Sequence, residues 1–200
     1  MGETNGVSIG DSIRMAYQPV VDRLLEEDMN VWGPEGNGGD SRNVLENLES
    51  WVFERPCDVL HLNCGLHDLR LREGEYQVPL EEYVRNVHRI MDALIDRFEG
   101  EVIWATTTPV IDERHQRVKN FQRREQDVKR YNSAGLAVTK SHNLRVNDLH
   151  ALVQESGPRR LLSDDGVHFK EEGNRLLGEA VASCVCEDRI GDDARTAGNL

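Results

Sequence analysis

The chain reads as one α/β domain built on a mostly parallel sheet of about five strands. Three observations lead there. Short apolar β-runs alternate with amphipathic helical patterns along the whole chain, the arrangement that folds into βαβ units. No internal repeat, linker or low-complexity tract interrupts residues 1–186, and 200 residues suffice for one sizeable core. The unusual loops, rich in Gly, Asp, Ser and His, all follow strands.

Taken in order, Val7-Ser8-Ile9 is a short strand that meets Gly10. Ile13, Tyr17, Val20, Val21, Leu24 and Leu25 then recur at helical spacing and predict a helix over about 13–27. A second strand near 29–32 runs into the Gly-rich loop GPEGNGGDS. Val44, Leu45, Leu48, Trp51 and Val52 mark another helix, and DVLHLN at 58–63 is a third strand, nearly continuous in apolar character. After a polar connection, the stripe Leu80, Val84, Val87, Met91, Leu94, Ile95 and Phe98 predicts a long helix that Gly100 would cap. EVIWATTTPV is a fourth buried strand ending at Pro109. A long loop then precedes a helix over about 123–141, the short strand LRVND and a helical segment near 148–155. Leu176, Leu177, Ala180, Val181, Cys184 and Val185 give the last helix, and 187–200 reads as a polar tail.

Composition excludes several classes of function. Hydrophobic residues make up 38% and charged residues 30%, ordinary for a soluble globular domain. No apolar run reaches transmembrane length, and MGETNGVSIGDS lacks the basic-then-apolar order of a signal peptide, so a cytoplasmic protein without a membrane partner is expected. A net charge of −12 argues against a nucleic-acid partner. The most basic stretch, RHQRVKNFQRREQDVKR at 114–130, is interrupted by acids and reads as a loop and a solvated helix face. Cys57, Cys64, Cys184 and Cys186 have no zinc-finger spacing and read as idle thiols. His61, His88, His115, His142 and His150 have no partner pattern and read as structural. No third ligand accompanies His61 and His67, and no nucleotide-binding glycine motif is present, so neither a metal nor a cofactor is expected. Trp51 and Trp104 read as core; Trp32, beside the Gly loop, is open as a stacking platform.

In a parallel sheet the loops at the carboxyl ends of the strands gather into one crevice. Here those loops are GDS, GNGGDS, CGLHDL, TTTPV and SDDGVH, which brings Ser12, Gly39, His67, Asp165 and His168 to one edge. A serine hydroxyl is a poor nucleophile until a base takes its proton, and His168 is placed to do so. A carboxylate three residues earlier on the same loop can fix the imidazole tautomer; Asp165 fits that part, with Asp164 as the competing choice. Ser12 precedes the first helix, so its backbone N–H points outward from a positive helix terminus. There is no Gly-x-Ser-x-Gly elbow of the α/β-hydrolase kind.

The blocks IGDSI, NGGDS, GLHDL and Asp165-Gly166-Val167-His168, in that order over about 7–183, resemble the SGNH (GDSL-type) hydrolase superfamily. The resemblance implies a three-layer α/β/α, flavodoxin-like fold. It also implies Ser12 as nucleophile, Asp165 and His168 as its partners, and an oxyanion hole from Ser12, Gly39 and the residue at 67. The third block departs from the family pattern: His67 stands where relatives have an Asn amide donor. A neutral imidazole still donates one N–H, so His67 can replace the amide. Asn63 is the alternative donor, and a merely packed loop histidine is the competing reading. Asp11 and Asp68 read as loop-bracing carboxylates. The function implied is hydrolysis of small acyl esters, acetyl first, of a small-molecule or carbohydrate alcohol through an acyl-enzyme. A thioesterase or lysophospholipase acting on longer chains is the alternative, which the polar segments 69–79 and 110–122 disfavour. A non-catalytic binding module is the third.

Overall fold

The computed structural model describes residues 4–186, so the expected tail at 187–200 lies outside the described residues. In chain order the first half comprises β1 (Asn5–Ile9), α1 (Ser12–Leu25), β2 (Asn30–Trp32), α2 (Ser41–Leu48), β3 (Val59–Leu62) and the hairpin β4 (Leu71–Arg72) with β5 (Glu75–Tyr76). The second half comprises α3 (Leu80–Arg97), β6 (Glu101–Ala105), α4 (Asp112–Val118), α5 (Glu125–Ser141), β7 (Arg145–Asn147), α6 (Leu149–Ser156), α7 (Pro158–Leu161) and α8 (Glu171–Cys186).

Five strands pair in the order β2-β1-β3-β6-β7, every neighbouring pair parallel. Helices cover both faces. α1 packs on α8 in one layer, and α2, α3 and α5 pack together in the other, giving the three-layer α/β/α sandwich. β1, β3 and β6 lie under both layers, which is why their residues are buried continuously along each strand rather than on alternate faces. The order turns back at β1, with β2 on one side and β3 on the other. The loops leaving the carboxyl ends of β1 and β3 therefore diverge and open a crevice between them.

The structure corrects several element expectations. The fourth strand stops at Ala105 rather than Pro109, because the next residues turn to side-chain partners: Thr107 N–H donates to Asn132 Oδ1 at 2.8 Å, and Asn132 Nδ2 returns a bond to Thr107 O at 2.8 Å. The stretch expected as a long loop holds α4, whose only buried side chain is His115, so it carries no apolar stripe to find. The polar connection holds the β4–β5 hairpin, and α2 runs on through a π-helical turn at Glu49–Phe53. Gly100 is not the cap of α3; that helix ends at an extended Phe98, whose N–H donates to Leu94 O. No described helix is long and apolar enough to cross a membrane.

The α1–α8 contact matters most for the site, since α1 opens at Ser12 and α8 follows the loop that bears His168. The two helices meet at Gly178, where an added Cβ would stand 2.6 Å from Val20 Cβ and 2.7 Å from its Cγ1. Gly178→Ala should therefore destabilise the protein. The helix-propensity gain of about 1 kcal/mol is outweighed by an overpacking cost of about 1–3 kcal/mol. Denaturant unfolding checks the sign, and a stabilised variant would show that the helices part without cost.

Candidate active site

Ser12 is the first residue of α1, and Asp11 caps the helix by accepting the Ile13 N–H at 2.8 Å. That buries the Asp11 carboxylate as a brace, as expected, and leaves the Ser12 hydroxyl half-buried at the crevice floor. Ser12 Oγ lies 3.0 Å from His168 Nε2, and His168 Nδ1 lies 2.5 Å from Asp165 Oδ2. A carboxylate facing Nδ1 places the proton there and leaves the Nε2 lone pair toward the hydroxyl. The three sequence-predicted residues thus form one continuous relay.

Asp165 is held from every side. Its other oxygen accepts from Ser163 Oγ at 2.7 Å and from the Val167 and His168 N–H groups at 2.9 Å each. Partial burial works to raise its pKa, but the His168 ring, these two amides and the Ser163 hydroxyl together hold it well below the usual carboxylate range. Between the two residues Gly166 adopts φ +72°, and a Cβ there would press to 2.5 Å from Ile111 O. Asp164, the competing candidate, points to solvent. The loop is closed by Ser163 N–H to His168 O at 2.7 Å and pinned by Arg114. Arg114 donates to Leu162 O at 2.9 Å, Ser163 O at 3.1 Å and Arg159 O at 2.9 Å.

The Gly loop after β2 rests on a buried Arg14, whose guanidinium donates to Pro34 O at 2.6 Å and Gly36 O at 3.1 Å. Gly38 N–H donates to Gly10 O at 2.9 Å, stitching this loop to the one that bears Ser12. Gly39 lies beside that stitch, but its N–H donates to Asn37 Oδ1 at 2.8 Å.

His67 is half-buried, and its ring makes no hydrogen bond among the described residues. Burial lowers its pKa; Arg123 and Arg70 act in the same direction, while Asp11 and Asp40 oppose them. A neutral imidazole with one N–H to donate is the form this favours. Asn63, the alternative donor, is already engaged: its Nδ2 donates to Ala105 O at 2.8 Å and reaches Thr107 Oγ1 at 3.3 Å, tying β3 to β6.

Asp68 braces the site from below. It is wholly buried, and both its oxygens accept the Ser41 N–H at 3.0 and 3.1 Å, while Ser41 Oγ accepts from Asn86 Nδ2 at 3.0 Å. His61 is a core residue of β3, its pKa pushed down to about 4 by burial, with Nε2 facing Asn147 Nδ2 at 3.2 Å. The Trp32 ring is covered by Arg55, 3.5 Å from its centroid. Arg14, Arg114, Arg123 and Asn132, which position these loops, were not legible as such. With 24 basic residues spread along the chain, no spacing marks the ones that turn inward.

Burial pushes the Asp68 carboxyl up to about 7, against the Ser41 hydrogen bonds that pull it down and with Asp40 adding to the rise. Its folded pKa therefore lies above its unfolded one. The folded protein holds a proton that the unfolded chain releases, and stability falls as pH rises from about 4 to about 7. Asp68→Asn abolishes that titration while keeping an oxygen for the Ser41 N–H. The variant should gain on wild type by on the order of 4 kcal/mol across this window and no further above it. Urea unfolding at a series of pH values tests this; a pH-independent difference would refute it.

The GDSL-like lipase/acylhydrolase family matches residues 5–176. A GDSL esterase/lipase of Arabidopsis thaliana is 30% identical over 139 residues, covering 64% of this chain and 58% of its own. One of Oryza sativa subsp. japonica is 28% identical over 117 residues, covering 55% and 45%. The chain thus spans about half the length of the curated relatives it matches. Among solved structures, a lipase/acylhydrolase from Enterococcus faecalis superposes with TM-score 0.77 at 22% identity, covering 93% of this chain and 96% of its own. The acetylxylan esterase Axe2 from Geobacillus stearothermophilus superposes with TM-score 0.73 at 16% identity, covering 92% and 95%. Such identities show the shared fold. Because the family match spans residues 5–176, nearly the whole of the described chain, the chain belongs to the GDSL-like lipase/acylhydrolase family.

Proposed function

We propose that the protein is a serine hydrolase of small acyl esters, acetyl first, acting through an acyl-enzyme on a small-molecule or carbohydrate alcohol. The observation that carries the reading is the unbroken relay Ser12 Oγ–His168 Nε2, His168 Nδ1–Asp165 Oδ2, at 3.0 and 2.5 Å. In the proposed mechanism Ser12 Oγ attacks the ester carbonyl as His168 Nε2 takes its proton, and Asp165 keeps the imidazolium oriented. The tetrahedral oxyanion receives the Ser12 N–H, one of the first-turn donors no helical carbonyl reaches, together with His67 and the Gly39 N–H. The oxyanion must share or displace Asn37 at Gly39. His168 then protonates the leaving alcohol, and a water repeats the sequence in reverse to free the acid and Ser12.

A short acyl group is favoured over the long chains of a thioesterase or lysophospholipase, because the segments 69–79 and 110–122, which a lipid-binding groove would need to be apolar, are largely polar in sequence. Beyond Gly39 a polar cleft of about 320 Å³, lined by Arg70, Arg72, Glu75, Tyr76 and Gln77, is of a size and character for a hydrophilic alcohol. The likeness in fold to acetylxylan esterases points the same way.

Three outcomes test the reading. A fluorophosphonate probe should label Ser12, read by peptide mapping, and label on any other serine would overturn the assignment. Ser12→Ala and His168→Ala should each cut turnover of p-nitrophenyl acetate by about 10⁴-fold or more. His67→Ala should cut kcat by about 10²–10³-fold with little change in KM or melting temperature, because its donor acts on charge that exists only in the transition state. His67→Asn should recover part of that loss. Normal turnover with a lowered melting temperature would make His67 a packing residue instead.

A further inference from the structure

The basic stretch at 114–130 does more than cover a helix. Arg123, between α4 and α5, is 7% exposed, and its Nε donates to Leu66 O at 2.8 Å, next to His67. No carboxylate lies within ion-pair distance of it among the described residues, and its terminal nitrogens have no protein acceptor yet are not sealed from solvent. Arg70 joins it through the hairpin: Leu71 and Gln122 exchange backbone bonds at 2.9 and 2.8 Å. The Phe121 ring is flanked by both guanidiniums, Arg70 at 4.1 Å and Arg123 at 5.2 Å from its centroid. His115 meets the same ring edge-on at 5.1 Å.

Burial pushes the Arg123 pKa down to about 10, with Arg70 adding to the fall, while Asp11 and Asp165 oppose it. Arg123 therefore lies within electrostatic reach of the residues on either side of the Ser12–His168 pair. A buried charge without a counter-charge costs several kcal/mol, and two like charges on one ring add to that. Among the described residues no acid is set against Arg123 as an ion pair. Of the neighbouring acids, Asp11 is tied to its own helix terminus and Asp165 to its own loop. What the wall lacks is an anion with two acceptor oxygens, the partner that a guanidinium fork fits best.

We propose that Arg123, assisted by Arg70, is the specificity-determining residue of this site and takes a carboxylate or phosphate group carried by the ester substrate. The inference rests on the esterase reading and narrows its substrate class to esters bearing an anion near the scissile carbonyl, on the acyl or on the alcohol side.

Matched pairs separate these sources. Mono-p-nitrophenyl glutarate and its methyl ester place or remove a carboxylate on the acyl side; p-acetoxybenzoate and its methyl ester do so on the alcohol side. Each kcat/KM is divided by the ester's own alkaline hydrolysis rate. Wild type should favour the anionic member of one pair by about tenfold or more, the range expected of a hydrogen bond to a charged group. That ratio should fall to near one in Arg123→Gln and fall partly in Arg70→Gln, and, being a ratio, it is unaffected by a general loss of folded enzyme. No preference in either pair, or a preference that survives both substitutions, overturns the proposal. Calorimetry on Ser12→Ala with the two anionic esters reads binding without turnover. Binding abolished by adding Arg123→Gln supports the subsite even if wild type cleaves no ester, which would sink only the esterase reading. Absence of binding to Ser12→Ala overturns the subsite even if neutral esters are cleaved.

Discussion

A parallel strand pair sends both of its chains out of the sheet at the same edge, and the register decides how close together they emerge. In this protein Ile9 pairs with Leu62, Leu62 with Trp104, and Ala105 with Asn147, so the central strands end almost level. The loops that start there begin as neighbours. Ser12 comes three residues after Ile9, Asn63 comes one after Leu62, and Thr106 comes one after Ala105. The hydrogen bond between Ser12 and His168 spans 156 positions of sequence and depends on that shared edge. The α1–α8 contact fixes the remaining freedom, since it clamps the helices that begin at Ser12 and just beyond His168.

Loops gathered at one edge would still be mobile if their carbonyls faced only water. Here arginines, two buried and one half-buried, are directed at them. Arg14 holds the Gly loop, Arg114 the loop that bears Asp165 and His168, and Arg123 the turn before His67, each through backbone oxygens rather than carboxylates. Asp68 and Asp11 do the converse work with backbone N–H groups at the starts of α2 and α1. A guanidinium offers five donors in a rigid fork, so one side chain can satisfy two or three carbonyls that a lysine would reach singly. This division leaves the groups proposed for chemistry, Ser12 Oγ, His168 Nε2 and the His67 ring, with few competing partners.

The contrast between global and local charge follows from the same arrangement. The chain carries −12 overall, yet the wall beside His67 presents the guanidiniums of Arg70 and Arg123 around Phe121. Net charge is a sum over a surface, whereas recognition is set within a Debye length of about 8 Å, so an acidic protein can hold a cationic subsite.

Much of this was legible without coordinates, for a physical reason. Strand and helix order follows from hydrophobic period, which is local, and so the sheet class and the five site loops could be read directly. Asp165 and His168 could be paired because they stand three positions apart on one loop, and Ser12 could be singled out because it comes between a strand and the start of a helix. The tertiary structure decided what depends on distant partners. Asn63 looked free to donate until β6 took its amide, and Gly39 until the Asn37 side chain took its N–H. Helix α4 has no apolar stripe, because one buried histidine and a carbonyl-binding arginine, His115 and Arg114, anchor it instead. Arg123 read as part of a solvated basic run, since burial of a charge depends on what the fold packs around it rather than on its neighbours in sequence. Periodicity records which way a segment faces; which hydrogen bonds remain unspent is settled only when all the segments have met.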